Sequence, residues 1–203
     1  MAPGTVVAHV EAGTRDLLTG ERTLLNLLTH LSGIASATGR WVDAVEGTGA
    51  KIRDSRKTLP GLRSLQKYAV TVGGGVNHRL GLGDRALIKD NHVVAAGGVL
   101  AAYRAVREAY PDAWCEIEVD SLAQLDELLP EHPHEILLDN FEPWAVQTAV
   151  QRRDAVSPGT LLEASGGLTL EVAADYARTG VDYLAVGSLT HSAPALDLGL
   201  DFD

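Results

Sequence analysis

Short apolar runs and amphipathic stretches alternate along most of this chain. The runs are Ala86–Ile88, Cys115–Val119, Ile136–Leu138, Leu161–Ala164 and Tyr183–Val186, each of strand length. Between them, Val99–Tyr110, Ser121–Leu129, Pro143–Gln151 and Leu170–Arg178 carry the apolar spacing and breakers of helices. Ser121 suits an N-cap and Pro143 a first helical turn. An earlier pair places a strand at Lys51–Arg53 and a helix from Pro60 to Val72. Such repeats predict a parallel sheet with helices packed outside it. Glu118, Asp139, Ser165 and Gly187 stand at or near strand ends, at intervals of 21, 26 and 22 residues. The count is six βα units, fewer than the eight of a closed barrel. No G-x-G-x-x-G follows an early strand, so the expected α/β fold is an incomplete, open barrel rather than a doubly wound sheet.

The first residues depart from this rhythm. Val6, Val7, His9 and Val10 predict a strand, Gly13 a turn, and Asp16–Leu18 the approach to a long helix. That helix, about Glu21–Thr38, would set Leu24, Leu28, Leu31 and Ala35 on one face. The strand has no partner in the pattern. Residues 1–20 are therefore expected to be the remnant of a preceding domain, and residues 21–203 the barrel.

Charge sharpens the picture. The chain carries 17 Lys+Arg against 27 Asp+Glu, which speaks against a general nucleic-acid binder. Yet residues 51–89 hold nine of those bases, every lysine among them, and only the acids Asp54 and Asp84. A basic window in an acidic chain predicts a site for a ligand with several negative charges. The single cysteine, Cys115, requires no oxidising compartment and sits in an apolar run, as a structural thiol would. No apolar run approaches a membrane span and no leader opens the chain, so the expected setting is the cytoplasm.

In a parallel barrel, strand-end residues share one mouth. Arg56 and Lys57, Lys89, Glu118, Asp139, Ser165 and Gly187 would converge there. Arg56 and Arg79 could grip carboxylates or phosphates through bidentate forks, with Lys57 and Lys89 as point charges. Glu118 and Asp139, on neighbouring strands, could hold Mg²⁺ directly or through its waters. Ser165-Gly166-Gly167 and Gly187-Ser188 offer backbone N–H groups for a phosphate. His78 beside Arg79 fits an anion pocket or a solvated loop equally well, and His191 is close enough to Gly187 to reach a phosphate. The gap between His78 and His92 has no metal-ligand spacing. His30, His132 and His134 read as structural or surface residues. Lys89 could instead pair with Glu118 or Asp139. Arg53, Arg63, Lys67 and Arg85 are expected to be surface charge.

Seven segments in order, Glu21–Ala35, Asp54–Pro60, Asn77–His92, Glu116–Asp120, Leu137–Asn140, Glu163–Gly167 and Val186–Ser192, resemble quinolinate phosphoribosyltransferase of NAD biosynthesis. The resemblance implies a type II phosphoribosyltransferase fold: an N-terminal α/β sandwich, of which this chain would keep only the last residues, and an incomplete α/β barrel. It implies that Arg56, His78, Arg79 and Lys89 line the pocket for the two quinolinate carboxylates. Lys57, Glu118 and Asp139 would serve phosphoribosyl pyrophosphate and its Mg²⁺, and Ser165, Gly166, Gly187 and His191 its phosphate end. Arg22 would reach the site of a neighbouring subunit, which implies a homodimer. Ser55 stands where the family usually has threonine.

The implied reaction joins quinolinate to phosphoribose with loss of CO₂ and pyrophosphate, giving nicotinate mononucleotide, without a nucleic-acid or membrane partner. Two alternatives stand at this level. One is a truncated, catalytically impaired chain that binds ligand or associates with a partner. The other is a paralogous type II phosphoribosyltransferase with a different acid substrate.

Overall fold

The computed structural model describes residues 2–202. Six strands, β1 (Lys51–Arg53), β2 (Ala86–Ile88), β3 (Cys115–Val119), β4 (Glu135–Asp139), β5 (Leu161–Ser165) and β6 (Tyr183–Ala185), form one sheet. The order is β1-β6-β5-β4-β3-β2, and every pairing is parallel. Val76 bridges to Arg53 beyond β1, but no ladder joins that side to β2 among the described residues. The result is the open barrel that the strand count predicted.

The connecting helices are α1 (Thr14–Ala44), α2 (Arg63–Val72), α3 (Asp90–Ala96), α4 (Val99–Ala109), α5 (Leu122–Leu128), α6 (Pro143–Val156), α7 (Ala173–Ala177) and α8 (Ser188–His191). Ser121 Oγ caps α5 by accepting the Gln124 N–H, and Pro143 opens α6. Helix α3 was not anticipated. Its start is fixed by the Lys89 backbone N–H donating to His92 Nδ1 at 2.9 Å, a local contact that apolar periodicity cannot reveal.

Alternation along the strands divides the molecule into two layers. Ile52, Cys115, Ile117, Val119, Ile136, Leu138, Leu162, Ala164 and Leu184 are buried in one apolar core with Val70, Leu125, Leu128, Val146 and Ala177 of the helices. Each large aliphatic side chain buried this way contributes about 1.5–3 kcal/mol. The other strand positions face the barrel interior, and several are charged.

Two expectations for the N-terminal region fail. Val6–Val10 forms no strand and its valines are exposed; an extended segment with no neighbour to accept its N–H groups has no ladder to join. Helix α1 begins at Thr14, ahead of Glu21, and buries Leu25, Ile34, Ala37, Thr38 and Trp41 instead of the predicted face. Leu24 and Leu28 are exposed, and Leu31 is half-buried against the core. The spacing was helical, but the face that meets the barrel is turned by one position from the one chosen.

Candidate active site

At the C-terminal ends of the strands lies a cavity of ≈ 220 Å³. Of the residues singled out in the sequence, Arg56, Lys57, His78, Arg79, Lys89, Ser165 and Gly187 line it. Asp54, Ser55, Leu87, Leu137, Glu163 and Ala185 complete the wall. A larger cleft of ≈ 490 Å³ lies between residues 4–10 and 197–202, away from the strand ends, with His9, Asp197 and Asp201 as its titratable lining among the described residues.

The cations of the smaller cavity differ in their partners. Arg56 Nε and Nη1 are buried and make no hydrogen bond among the described residues. A buried donor in that condition costs roughly 1–3 kcal/mol until an acceptor reaches it. Burial, with help from the Arg56 charge, pulls the Arg79 guanidinium below its ordinary pKa, although an arginine this basic stays charged. Lys89 pairs with Glu118 on the adjacent strand. Lys57 lies against Gly187, where an added Cβ would stand 3.2 Å from Lys57 Cδ, 3.5 Å from His191 Nε2 and 3.6 Å from Ser55 Oγ. Glycine is thus the residue that lets those three side chains meet the β6 end.

Glu118 and Asp139 stand near the cavity without lining it. Burial raises the Asp139 carboxyl, and the charge of Glu118 raises it further. Asn140, held at φ 55, donates to Asp139 Oδ2 at 2.7 Å. Gly166 approaches Asn140 so closely that a Cβ would fall 2.2 Å from its Oδ1, and its φ of +98 is itself a glycine conformation. Arg22 is exposed on the N-terminal half of α1, 3.8 Å from Glu21 and outside the cavity wall.

Below the cavity the barrel is filled by charge, where aliphatic layers are usual. Arg53 donates to Glu135 and, at 2.6 Å, to Glu163, while its guanidinium stacks 3.4 Å over the Tyr183 ring. Arg85 donates to Glu135 at 2.9 Å. Lys67 pairs with Asp54, which also accepts the His78 N–H at 2.8 Å. Burial pushes both members of that last pair toward neutrality, and their contact opposes it. The surface expectation is thereby corrected: Arg53 and Lys67 are buried and Arg85 is half-buried. Arg63, half-buried as well, binds the Leu80 and Arg56 carbonyls. The missed signal is the period-two recurrence of acids in the strands: Glu116 and Glu118, Glu135 and Asp139, then Glu163.

His78 is held neutral, its pKa lowered to about 4 chiefly by burial. Its Nδ1 accepts the Arg79 backbone N–H at 2.7 Å, so the remaining proton sits on Nε2, 2.8 Å from Glu116 Oε2. Neither Glu116 oxygen has a hydrogen-bond partner among the described residues, so the contact is electrostatic more than a hydrogen bond. His78, Glu116 and Glu163 have the donor types and spacing of a metal cluster. The tautomer argues against one, because both ring nitrogens are committed. Burial raises Glu116 to about 8 and Glu163 to about 7, with the neighbouring carboxylates adding to each.

His30, His132, His134 and Cys115, expected to be structural or surface residues, make local contacts away from the cavity. His30 Nε2 lies 2.7 Å from the Gln66 amide, and His132 Nδ1 lies 3.0 Å from Ser157 Oγ. His134 stacks on Trp114 and accepts the Cys115 N–H. Burial pushes the Cys115 thiol up to about 11.

Residues 34–201 match the family described as quinolinate phosphoribosyl transferase, C-terminal domain. The chain is 68% identical over 198 residues to the carboxylating nicotinate-nucleotide pyrophosphorylase of Mycobacterium leprae, covering 98% of this chain and 70% of that protein. It is 40% identical over 203 residues to the human protein of the same name, covering 98% of this chain and 68% of the relative. Among solved structures, nicotinate-nucleotide pyrophosphorylase from Ehrlichia chaffeensis superposes with a TM-score of 0.87 at 42% identity, over 91% of this chain and 66% of that one.

Proposed function

The chain belongs to the quinolinate phosphoribosyl transferase family, and we propose that it transfers phosphoribose from phosphoribosyl pyrophosphate to quinolinate with loss of CO₂, giving nicotinate mononucleotide and pyrophosphate. The observation that carries this reading is a small cavity walled by Arg56, Arg79, Lys57 and Lys89, in which two Arg56 nitrogens are buried without an acceptor. Quinolinate brings two adjacent carboxylates and its co-substrate several phosphates, so a concentrated positive wall is needed twice.

In this reading Arg56, Arg79 and Lys89 hold the quinolinate carboxylates, and neutral His78 completes the pocket. Lys57, against Gly187 and His191, faces the phosphate groups, with Ser165 and Gly166 at the neighbouring strand end. Glu118 and Asp139 suit Mg²⁺: both are oxygen donors, and Glu118 burdens Asp139 with like charge that a cation relieves. When bound there, Mg²⁺ would neutralise charge on the departing pyrophosphate. The pyridine nitrogen attacks the ribose C1 as pyrophosphate leaves, through a transition state with oxocarbenium character. The protein's share is positioning and charge neutralisation by Lys57, Arg56 and Arg79.

Arg22 serves the site of a second copy in this reading, making the enzyme a homodimer. Its exposure near Leu18, Leu24 and Leu28, all exposed on α1, supports that role. No helix among the described residues is long and apolar enough to cross a membrane. Both substrates are small soluble anions, and we place the enzyme in the cytoplasm.

The test is incubation of the purified chain with quinolinate, phosphoribosyl pyrophosphate and Mg²⁺. Nicotinate mononucleotide, pyrophosphate and CO₂ are the expected products, and nicotinate in place of quinolinate should give none. Equal turnover of nicotinate would move the reading to another acid, and no product at all would overturn it.

A further inference from the structure

The cavity floor holds more acid than base. Glu116, Glu135 and Glu163 are fully buried, and they face Arg53 and Arg85, with His78 neutral among them. Three carboxyl groups against two guanidiniums leave an excess negative charge that a water-poor interior cannot hold cheaply. Such a cluster keeps a proton instead.

Glu163 is the carboxyl group of this cluster that lines the cavity, beside His78. It lies two residues before Ser165 on β5, opposite Leu137 of β4. Its Oε2 accepts from Arg53 Nη1 at 2.6 Å, and Oε1 lies 3.9 Å from His78 Nε2, free of a hydrogen-bond donor. The groups facing it are Arg53 from β1, Glu116 from β3, Glu135 from β4 and His78 from the segment after α2. Burial and the neighbouring carboxylates hold its carboxyl at about 7.

The reaction proposed above, on which this inference rests, needs a proton that none of its assigned residues supplies. When the carboxylate next to the ring nitrogen departs as CO₂, the electron pair of the broken C–C bond remains on ring carbon 2. We propose that Glu163 donates the proton that captures this pair and completes the decarboxylation. The O–H bond at Oε1 breaks as the C2–H bond forms, and the O–H pair stays on Glu163. The resulting carboxylate is held by Arg53 until water reprotonates it after product release. Arg53 is then a positioning residue, keeping one oxygen engaged so that the other faces the substrate.

The experiment follows two products in the same quenched samples of the full chain with quinolinate, phosphoribosyl pyrophosphate and Mg²⁺. Pyrophosphate reports attack by the ring nitrogen, and CO₂ reports the later step. In Glu163→Gln, nicotinate mononucleotide formation should fall about 100-fold or more, the usual loss for a general acid. Pyrophosphate release should fall far less, and the undecarboxylated mononucleotide should accumulate. Equal loss of both products would mark a structural role and overturn the proposal. If this variant does not fold, the wild type still decides. CO₂ release should decline as pH rises through about 7, where Glu163 loses its proton, while pyrophosphate release does not follow. Superimposable pH profiles would overturn the proposal. Absence of pyrophosphate from the wild type would instead overturn the phosphoribosyl-transfer reading and this inference with it.

Discussion

Lys89 and Glu118 form an ion pair across the ends of the adjacent strands β2 and β3. The cation proposed for quinolinate thus neutralises a carboxylate proposed for Mg²⁺, and a bound quinolinate competes with Glu118 for it. Lys89→Ala should weaken quinolinate binding about 10- to 100-fold, the loss of one charge-assisted contact. Calorimetric titration with quinolinate measures this, and an unchanged affinity would remove Lys89 from the acid pocket.

Lys57 and Arg79 should separate in kinetics. Lys57→Ala is expected to lower kcat, because the charge it meets grows on the leaving pyrophosphate. Arg79→Ala should act mainly on the KM for quinolinate. Small, equal effects from both substitutions would contradict the assignment of the two residues to different ligands.

Arg53→Met should be strongly destabilising. It leaves Glu135 and Glu163 buried with one counter-charge fewer, and breaking a buried pair in this way costs roughly 3–5 kcal/mol. Urea unfolding gives the number. A change under about 1 kcal/mol would show that water or protonation relieves the cluster at little cost.

His78 predicts a pH arm in stability. Its folded pKa of about 4 lies below the ordinary value near 6.5, so between those values the unfolded chain binds a proton that the folded chain refuses. The contribution of His78 is complete above pH about 6.5 and fades as pH falls toward about 4. In His78→Asn this arm is missing. The stability gap between wild type and variant should therefore widen from pH 4.5 to pH 7, as read from denaturant midpoints. A constant gap would mean that His78 titrates normally.

Gly166→Ala should damage the phosphate end without touching the cations. Its Cβ would meet Asn140, and its φ is strained for alanine. A stability loss of about 1–3 kcal/mol is expected, with a raised KM for phosphoribosyl pyrophosphate. Unchanged values for both would remove Gly166 from the site.

The βα alternation was legible because helices covering a parallel sheet demand apolar strands, and the site cations because strand ends in such a sheet share one mouth. Arg53, in β1, and Arg85, one residue before β2, were misread for a related reason. Polar residues in short strands normally face water, but here helices cover the outside, so every second position turns into the barrel and the charges go with it. Whether Arg53 meets Glu135 and Glu163 depends on the register of strands far apart in sequence, which no local pattern contains. The exposed leucines of α1 show the same limit, since helical spacing names a stripe but not what the stripe meets.

Among the described residues, strand β2 is hydrogen-bonded along one side only, and Lys89 follows directly from its end. The lysine contested by the two half-sites is thus mounted on the least tethered strand of the sheet, while Glu118 and Asp139 stand on its well-braced centre. A strand paired on one side opens at lower cost than one paired on both. Amide exchange at Ala86–Ile88, compared with and without quinolinate, is therefore where occupancy of the acid pocket should first be felt.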